Sequence, residues 1–463
     1  MSGDPGSGAR RLSGWGRTAP TTAYVRAVRD PADVVAAVQG VDGRGILARG
    51  LGRSYGDAAQ NAGGLVLDMT TLARVHHIDA ATGLVDVDAG VSLGTLMRAL
   101  LPSGLWVPVL PGTRQVSVGG AVAADVHGKN HHVVGSFGSH VRSLHIVTAD
   151  GTVHSIGPEH PLFWATVGGM GLTGVIVRAT IACHRVESAF VLVDTERAGD
   201  LEDLMVRLSA DDAAYPYSVA WFDSIATGRR LGRAVITRGR NARLDELAPG
   251  LAARALDMTA RRRATLPSVL PPGLVNRATG RAFNEMWFRA APRLRRGEVQ
   301  DAARFFHPLD VVGRWNHVYG PRGFCQYQFV VPLGAQDALR AAVGAIASSG
   351  HVSCLNVLKR FGPANAGLLS FPTPGWTLAV DLPVRPGLDR LFAVLDALVL
   401  EAGGRLYLAK DSRASADTVA RMYPRLAEFR AERAKVDPAG VFVSDLARRL
   451  QLTDAPTPSR SPS

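Results

Sequence analysis

The stretch PGTRQVSVGGAVAADVHGKNHH, residues 111–132, combines very small residues with side chains that carry protons and charge. Gly119 and Gly120 precede several alanines, and residues this small allow a flat ligand to lie directly against the backbone. His127 then supplies an imidazole that titrates near neutral pH, and Lys129 supplies an ammonium charge. The pattern predicts a planar cofactor beside a proton-handling histidine; the alternative is a histidine with a purely structural role.

The same stretch holds three histidines, which raises the alternative of a metal site. His127 and His131 are four residues apart, as ligands on one helical face would be, but Gly128 between them disfavours a helix. No HExxH motif occurs in the chain. These residues therefore do not favour a metal.

A second motif, ARGLGRSYGD at residues 48–57, follows the short apolar run GIL. Its three glycines permit tight turns in which successive backbone N–H groups converge on an anion, and Arg49 and Arg53 add positive charge. The motif suits a diphosphate, although it matches neither GxGxxG nor a Walker loop. The alternative is an ordinary glycine-rich turn.

A third motif, RLYLAKDSR at residues 405–413, follows two glycines. On a strand, Tyr407 and Ala409 would share a face and Lys410 would stand where the strand ends. A lysine in that place is ordinarily a surface residue. It acquires a chemical role only if the C-terminal segment returns to the first domain.

The elements that must position these motifs alternate between strand and helix in the first part of the chain. TAYVRAV and GILARG predict strands on either side of a helix that Asp30 caps. The alternating segment LVDVDAG, a helix capped by Ser92 and a hairpin around Asp150 and Gly151 follow. We expect residues 1–187 to form one α+β domain.

Residues 188–404 predict a second domain built on an antiparallel sheet, because long strand-like segments alternate with helices there. Residues two apart on a strand share a face, so polar groups on three strands could line one surface; the alternative is a face that meets water. The pairs concerned are Gln326 with Gln328, Lys359 with Phe361, and Thr377 with Ala379. We expect residues 405–453 to return to the first domain and 454–463 to be a disordered tail.

The composition is that of a globular protein, with 463 residues of which 46% are hydrophobic and 20% charged. The formal net charge of +12 favours an anionic partner: a phosphate-bearing cofactor, a phospholipid surface or nucleic acid. Aromatic residues make up 6% and no nucleic-acid recognition signature occurs, which disfavours nucleic acid. The Arg-rich stretch 241–300 is either a solvated face or a contact with anionic lipid headgroups.

Cysteine usage and hydropathy exclude other classes. Cys183, Cys325 and Cys354 lie far apart without a CxxC pair, so they predict neither a zinc site nor a disulfide framework and indicate buried thiols. No apolar run reaches the roughly 18 residues that cross a bilayer. No signal peptide is visible in the sequence.

Together the three motifs resemble the FAD-dependent oxidoreductases of the vanillyl-alcohol oxidase fold. The segments FWATVGGMGLTG, FHPLD, QYQF, SFPTPGW and KVDP extend the resemblance over about residues 14–451, most closely to the family that oxidises decaprenylphosphoryl-β-D-ribose at C2′. The resemblance implies a two-domain α+β fold with FAD in the first domain and an antiparallel-sheet cap over it. It also implies a 2′-keto product, the first half of an epimerisation to the arabinose form used in cell-wall arabinan. The alternative is a related oxidase or dehydrogenase of free sugars, alditols or aldonolactones.

The resemblance also assigns residues. Lys410 and His127 would be the catalytic residues, with the choice of base open between them. The residues it places against FAD are Ala48, Arg49, Gly50, Leu51, Gly52, Arg53, Ser54, Tyr55, Gly56, Asp57, Ala58, Gly112, Ser117, Val118, Gly119, Gly120, Ala124, Asp125, Val126, His127, Val175 and Tyr407. The residues it places against the substrate are Tyr55, Lys129, Trp221, Phe306, Gln326, Gln328, Lys359, Phe361, Thr377 and Ala379.

Two departures from the family pattern matter. Arg53 stands where many relatives carry a histidine bonded to the flavin, so FAD should be bound non-covalently. Some members carry cysteine where this chain has Ala379, so inhibitors that need that thiol should not label it. The resemblance further implies an NADH-dependent ketoreductase partner and a peripheral membrane location, periplasmic by resemblance, with the cytoplasmic side left open.

Overall fold

The computed structural model describes residues 8–41, 43–210, 214–258, 264–267 and 273–453. The expected disordered tail, residues 454–463, lies outside the described residues. No helix of the described chain is long and apolar enough to cross a membrane.

The first region mixes short helices with three sheets. Its strands are β1 (Gly8–Leu12), β2 (Thr21–Ala27), β3 (Ile46–Arg49), β4 (Leu65–Asp68), β5 (Val75–Ile78), β6 (Leu84–Asp88), β7 (Leu105–Trp106), β8 (Val141–Val147), β9 (Val153–Ile156), β10 (Val175–Ala182) and β11 (His184–Arg185). Its helices are α1 (Pro31–Gln39), α2 (Leu93–Leu100), α3 (Val118–Ala123), α4 (His131–Val134) and α5 (Pro161–Thr166). One sheet has the order β1-β2-β4-β3, another β5-β6-β10-β8-β9, and β7 pairs with β11.

The local signals in the sequence explain several of these elements. Asp30 accepts a hydrogen bond from the Asp33 N–H and Pro31 opens α1, while Ser92 accepts one from Thr95 and opens α2. The predicted hairpin around Asp150 forms between β8 and β9. The predicted strand and helix assignments of this region are therefore confirmed at these points.

The second region is dominated by one antiparallel sheet of eight strands. The strands of this region are β12 (Phe190–Ala198), β13 (Tyr217–Phe222), β14 (Ala234–Asn241), β15 (Ala264–Thr265), β16 (Leu294–Asp301), β17 (Val312–Gly313), β18 (Phe324–Val331), β19 (Asn356–Phe361) and β20 (Gly375–Pro383). Of these, β15 and β17 form a separate parallel pair. Its helices are α6 (Leu201–Ser209), α7 (Pro249–Ala252), α8 (Arg277–Ala290), α9 (Ala302–Phe306), α10 (Gln336–Ser348) and α11 (Leu388–Glu401). The Arg-rich stretch thus contains α7, β15, α8 and all of β16 except its last residue, and the rest of its course includes residues outside the described ranges.

The C-terminal segment consists of β21 (Arg405–Leu406), α12 (Ala416–Met422), α13 (Leu426–Val436) and α14 (Asp445–Leu450). The order of the large sheet is β16-β12-β14-β13-β19-β20-β18-β21, so this segment adds the last strand. Phe442 bridges to Ile46 of β3, and Arg449 binds the Asp57 carboxylate through two hydrogen bonds of 2.8 Å. The segment therefore joins the sheet to the first region.

The strand expected to run through Ala409 is shorter than the sequence suggested. β21 ends at Leu406, and residues 408–410 form a turn in which the Lys410 N–H binds the Tyr407 carbonyl. The Ala409 carbonyl accepts from the Tyr55 N–H, which draws the chain away from the sheet and toward the first region. That departure is what brings Lys410 to the seam between the two regions.

One hydrophobic core runs continuously through this seam. It contains Ala58 and Leu172 of the first region, Phe329 and Leu378 of the large sheet, and Phe429 of the C-terminal segment. Because these side chains share one core, the two regions are held against each other by apolar burial as well as by hydrogen bonds.

Candidate active site

A cavity of about 490 Å³ lies at the seam between the two regions. Its walls come from the glycine-rich loop after β3, the loop before α3 and α3 itself, the sheet strands β18, β19 and β20, and the turn after β21. All three motifs singled out in the sequence therefore meet at one place. Concave sites at domain junctions are the usual position of a ligand site.

The wall from the first region is made of small residues and backbone. The predicted site residues that line it are Ala48, Gly50, Leu51, Gly52, Arg53, Ser54, Tyr55, Ala58, Gly112, Ser117, Gly119, Gly120, Ala124, Val126 and His127. Ser117 caps α3 by accepting a hydrogen bond from the Gly120 N–H, which fixes the glycine pair against the cavity.

The glycines of this wall serve two different purposes. A Cβ on Gly50 would lie 2.0 Å from the Ser117 Oγ, and one on Gly119 would lie 2.9 Å from the Ala89 Cβ, so these glycines let protein segments pack together. A Cβ on Gly112 would meet no heavy atom within 4 Å. Gly112 lines the cavity, so its missing side chain leaves room for a ligand.

These residues fit FAD. The loop from Ala48 to Ala58 offers backbone groups and the guanidinium of Arg53 to a diphosphate, and that guanidinium lies 4.3 Å from the centre of the Trp15 ring. The side-chain-free surface at Gly112 leaves space for a ring system to approach the backbone. Arg53 offers no nucleophilic nitrogen for a covalent flavin bond, which agrees with non-covalent binding.

The opposite wall is made of side chains on three adjacent strands. Gln328 of β18 faces Ala379 of β20 across the sheet, and Lys359 of β19 faces Thr377 of β20. With Gln326, these four residues all line the cavity. The alternation of the strands thus brings the residues proposed for the substrate to one face. Their face meets the cavity.

Five further predicted residues, from both regions and the C-terminal segment, also line the cavity. They are Lys129, Trp221, Phe306, Tyr407 and Lys410. The Tyr407 hydroxyl donates to the Ala124 carbonyl at 2.8 Å, so this side chain ties the C-terminal turn to the end of α3.

His127 is buried in an aromatic cage and has partners at both ring nitrogens. The Lys359 Nζ lies 2.9 Å from Nδ1, and the Gln328 side-chain amide lies 3.0 Å from Nε2. The rings of Phe361 and Tyr407 lie 4.8 and 5.4 Å from the imidazole. Burial holds the pKa of His127 well below its usual value, and the nearby Lys359 charge lowers it further, so the imidazole is neutral.

Three lysines share the cavity, and burial lowers the pKa of each. The pKa of Lys129 falls to about 7 through burial, and the pKa of Lys359 falls to about 7 through burial and through the charges of Lys129 and Lys410. Lys410 lies with its Nζ 3.7 Å from the centre of the Tyr55 ring. Burial lowers its pKa below that of a free lysine, while the carboxylate of Asp381 raises it.

Asp381 is fully buried on the same face of β20 as Thr377 and Ala379, opposite Gln326 in the sheet register, and does not line the cavity. Its Oδ1 accepts from the Gln326 Nε2 at 2.5 Å, and its Oδ2 has no hydrogen-bond partner among the described residues. Burial raises the pKa of this carboxyl group, and the Lys410 charge lowers it. The sequence reasoning did not select Asp381, although it continues the alternation of Thr377 and Ala379 and so carried a readable signal.

Seven of the predicted residues do not line the cavity: Arg49, Gly56, Asp57, Val118, Asp125, Val175 and Phe361. Val118 and Val175 are core residues, and a Cβ on Gly56 would lie 2.0 Å from the Asp411 carbonyl oxygen. Arg49 donates to the Ala59 and Ser13 carbonyls. Their roles in the structure are to hold the loop and the C-terminal segment in place.

Asp125 and Phe361 act from behind the cavity wall. The Asp125 carboxylate accepts hydrogen bonds of 2.8 Å from Ser136, the Gly138 N–H and Asn365, and a further one from Ser370. It thus ties the first region to the second. The Phe361 ring packs against His127, as described above.

The structure also adds lining residues that the sequence reasoning did not select. Trp15 approaches from the N-terminal segment, and Trp287 of α8 lines the far end of the cavity. Neither stands in a motif or at a diagnostic spacing, so only the folded arrangement reveals them.

The three histidines of the opening motif do not converge. The His131 Nδ1 accepts from the Gly362 N–H, and the His132 Nε2 lies 2.9 Å from the Tyr215 carbonyl. Within the described parts of the chain, no group of three potential metal ligands is present.

Comparison with known proteins places this geometry in a family. A model described as an FAD binding domain matches residues 22–157, and one described as D-arabinono-1,4-lactone oxidase matches residues 380–450. The chain is 53% identical to the decaprenylphosphoryl-β-D-ribose oxidase of Mycolicibacterium smegmatis, over 96% of this chain and 98% of that protein. The chain belongs to the decaprenylphosphoryl-β-D-ribose oxidase family.

The chain is also similar to more distant relatives. They include an alditol oxidase of Streptomyces, 28% identical over 88% of this chain and 90% of that protein. An L-gulono-1,4-lactone dehydrogenase of Mycobacterium tuberculosis is 25% identical over the same shares. The protein is thus an FAD-dependent oxidoreductase with the two-domain vanillyl-alcohol oxidase-type fold that the motifs implied.

Proposed function

We propose that this oxidoreductase converts the C2′ hydroxyl of decaprenylphosphoryl-β-D-ribose to a ketone, the first half of an epimerisation to the arabinose form. The proposal is carried by one arrangement: a small-residue wall that accepts FAD faces Gln326, Gln328, Lys359 and Lys410 across one cavity. The near full-length similarity to the Mycolicibacterium smegmatis oxidase supports the choice of substrate.

FAD, when bound, supplies the acceptor for the two electrons and the hydrogen lost from C2′. The protein must then remove the proton of the 2′-hydroxyl. Both ring nitrogens of His127 already have partners in Lys359 and Gln328, whereas Lys410 has a lowered pKa and lines the cavity. Lys410 is therefore the base in this proposal, and His127 orients Lys359 and Gln328.

The proton that Lys410 accepts also changes the charge of the site. A neutral amine becomes an ammonium group in a buried cavity, at the moment when negative charge arrives with the electrons from the sugar. The ammonium group formed in this way stabilises the negative charge, and one such group in a water-excluded site contributes about 3 kcal/mol.

Lys129 and Lys359 are suited to the phosphate of the substrate. Burial lowers the pKa of each to about 7, and an arriving phosphate favours their charged forms. Lys129 is held by a hydrogen bond to the Phe305 carbonyl and by the Phe305 ring, whose centre lies 4.0 Å from Nζ. Phosphate binding would thus be accompanied by proton uptake.

The deciding experiment is a visible spectrum of the purified protein under anaerobic conditions. Addition of polyprenyl-phosphoryl ribose is expected to bleach the flavin absorbance, with one equivalent of 2′-keto product. Bleaching by free alditols or aldonolactones, with none by the lipid-linked ribose, would contradict the proposal and favour the sugar oxidase alternative.

The partners and the location are part of the same proposal. The 2′-keto product requires a reductase to complete an epimerisation, and an NADH-dependent ketoreductase would supply that step. A polyprenyl chain requires a membrane, so the protein would act at a membrane surface, on the periplasmic side by family resemblance. Co-purification from membranes with a ketoreductase, and protease accessibility in spheroplasts, would test these assignments.

A further inference from the structure

The helix α8 and the residues around it expose an unusual amount of apolar surface. Ten large hydrophobic side chains of the described chain are exposed, and four of them lie between residues 274 and 296. These are Leu274 at 43%, Met286 at 60%, Trp287 at 48% and Leu294 at 57% exposure. We call residues 274–296 the α8 face. Clustered exposed apolar residues mark an interaction surface.

The α8 face is also strongly basic. It contains six arginines and one acidic residue, Glu285, and so carries +5 of the chain's formal net charge of +12. Glu285 is itself paired, with Arg233 and with Arg289. The arginines therefore dominate the field of this face. Apolar side chains set among arginines match the chemistry of an anionic lipid interface.

An aromatic row connects the α8 face to the cavity. The Trp221 ring lines the cavity and lies 6.3 Å from the Trp287 ring, which stacks on Phe283 at 6.0 Å. The Trp221 Nε1 donates to the Cys354 carbonyl at 3.1 Å, which anchors the inner end of the row. Trp287 both lines the cavity and is half exposed, so the cavity opens on the α8 face.

We propose that the α8 face docks on a bilayer that contains anionic phospholipid, and that the polyprenyl tail of the substrate leaves the cavity past Trp221 and Trp287 into that bilayer. The identity of the tail rests on the function proposed above. The docking surface stands on its own observations: exposure, charge and the aromatic row. Arginine pairs with lipid phosphates while tryptophan and methionine enter the interface.

The first test measures binding of the FAD-loaded protein to vesicles of neutral phosphatidylcholine, with and without 30% phosphatidylglycerol. The double variant R281Q/R296Q removes two exposed arginines of the α8 face, and R229Q/R230Q removes two exposed arginines elsewhere. We expect R281Q/R296Q to weaken binding to anionic vesicles by at least about tenfold, at about 1 kcal/mol per arginine. R229Q/R230Q should bind like the wild type.

Two results would overturn the docking surface. One is a wild-type protein that does not bind anionic vesicles more tightly than neutral ones. The other is equal loss of binding in both double variants, which would mean that the overall positive charge of the protein, and not the α8 face, governs vesicle binding. In the same assay M286S on the α8 face should weaken binding, while V206S, which alters an equally exposed valine of α6, should not.

The second test separates docking from chemistry. We compare turnover of the decaprenyl substrate in anionic vesicles with turnover of a geranyl-phosphoryl ribose in solution. R281Q/R296Q should lower kcat/KM for the vesicle substrate by at least about fivefold and leave the soluble substrate within twofold. Loss with both substrates would contradict the docking role. If the wild type turned over neither substrate, the proposed function would be refuted. The docking surface would then be decided by the vesicle-binding test.

Discussion

The two walls of the cavity are built in opposite ways. The wall from the first region depends on side chains that are missing, at Gly112 and along the glycine-rich loop, whereas the wall from the large sheet depends on long polar side chains on β18 and β19. Adding a side chain to the first wall should therefore weaken cofactor binding, and removing one from the second wall should lower turnover. We propose that the first wall positions the cofactor and that the second carries the groups that act on the substrate.

The sharpest way to break the first wall is Gly112→Val. A Cβ at this position meets no protein atom within 4 Å, so the fold should persist while the added side chain enters the cavity. We expect the purified variant to lose FAD, with affinity weakened by at least about a hundredfold because the space is needed by a rigid ring. Absorbance of the purified protein and FAD titration measure this.

Gly344→Val is the matched control, because a Cβ at Gly344 in α10 is equally free of contacts but lies away from the cavity. It should retain FAD. Full flavin occupancy in Gly112→Val would show that this surface is not where the cofactor lies.

The second wall and the C-terminal turn together should lose catalytic activity when the side chain of Lys410 is shortened. Lys410→Ala removes the amine that we assign as base, and a single general base contributes about a hundredfold or more to turnover. We expect the variant to retain FAD and to lose kcat by that factor. Steady-state kinetics measure the loss of kcat and the flavin spectrum measures retention of FAD. Lys435→Ala, at an exposed lysine, is the control. Near-normal turnover would remove Lys410 from the mechanism.

A subtler change to the same wall acts through charge. Asp381 raises the pKa of Lys410, so Asp381→Asn should lower it and make the free amine available at lower pH. We expect the rising limb of the pH profile of kcat to move down by roughly half a unit to one unit. A rate–pH profile with the flavin fully bound measures the shift.

The control for this charge effect is Asp396→Asn. Asp396 also has a pKa raised by burial, but it accepts its hydrogen bond from Tyr327, whose side chain faces away from the cavity. Asp396→Asn should leave the rising limb of the pH profile of kcat unchanged. Asp381→Glu should return that limb to its wild-type pH. An Asp381→Asn profile that coincides with the wild type would exclude a positioning role for this carboxylate.

The comparison of the walls also explains what the sequence could foretell. Alternation along a strand is a local property, so the shared face of Gln326 and Gln328 was readable, as was that of Thr377 and Ala379. Asp381 continues that alternation and could have been selected by the same rule. The glycine-rich segments were recognisable by residue type. Type alone did not reveal that Gly119 makes room for Ala89 whereas Gly112 borders open space in the cavity.

What depends on contacts between distant segments could not be read in this way. The resemblance places Val175 against FAD, yet its side chain lies in a core while its neighbours Gly174 and Ile176 line the cavity. The turn that releases Lys410 from the sheet depends on the hydrogen bond between Tyr55 and Ala409, 354 residues apart. Trp287 reaches the cavity only because α8 packs beside β13, where Trp221 stands.

A last expected effect, on stability rather than on activity, concerns the seam where the two walls meet. His307, which follows α9, is buried near Arg114 and Lys129 of the first region; burial and these charges lower its pKa to about 3. In the unfolded chain the same imidazole titrates near 6.5. Below that pH the unfolded chain binds a proton that the folded protein excludes, so this residue's contribution lowers stability as the pH falls from about 6.5 toward 3.

His307→Gln removes this titration. Between pH 7 and 5, the free energy of unfolding of the wild type should fall relative to that of the variant by about 2 kcal/mol, at about 1.4 kcal/mol per pH unit below the unfolded pKa. Urea unfolding at each pH measures the difference, with the exposed His77→Gln as the matched control. A difference that does not change with pH for His307→Gln would mean that the seam opens enough to let this imidazole take up its proton, and the two walls would then be less firmly joined than their shared core indicates.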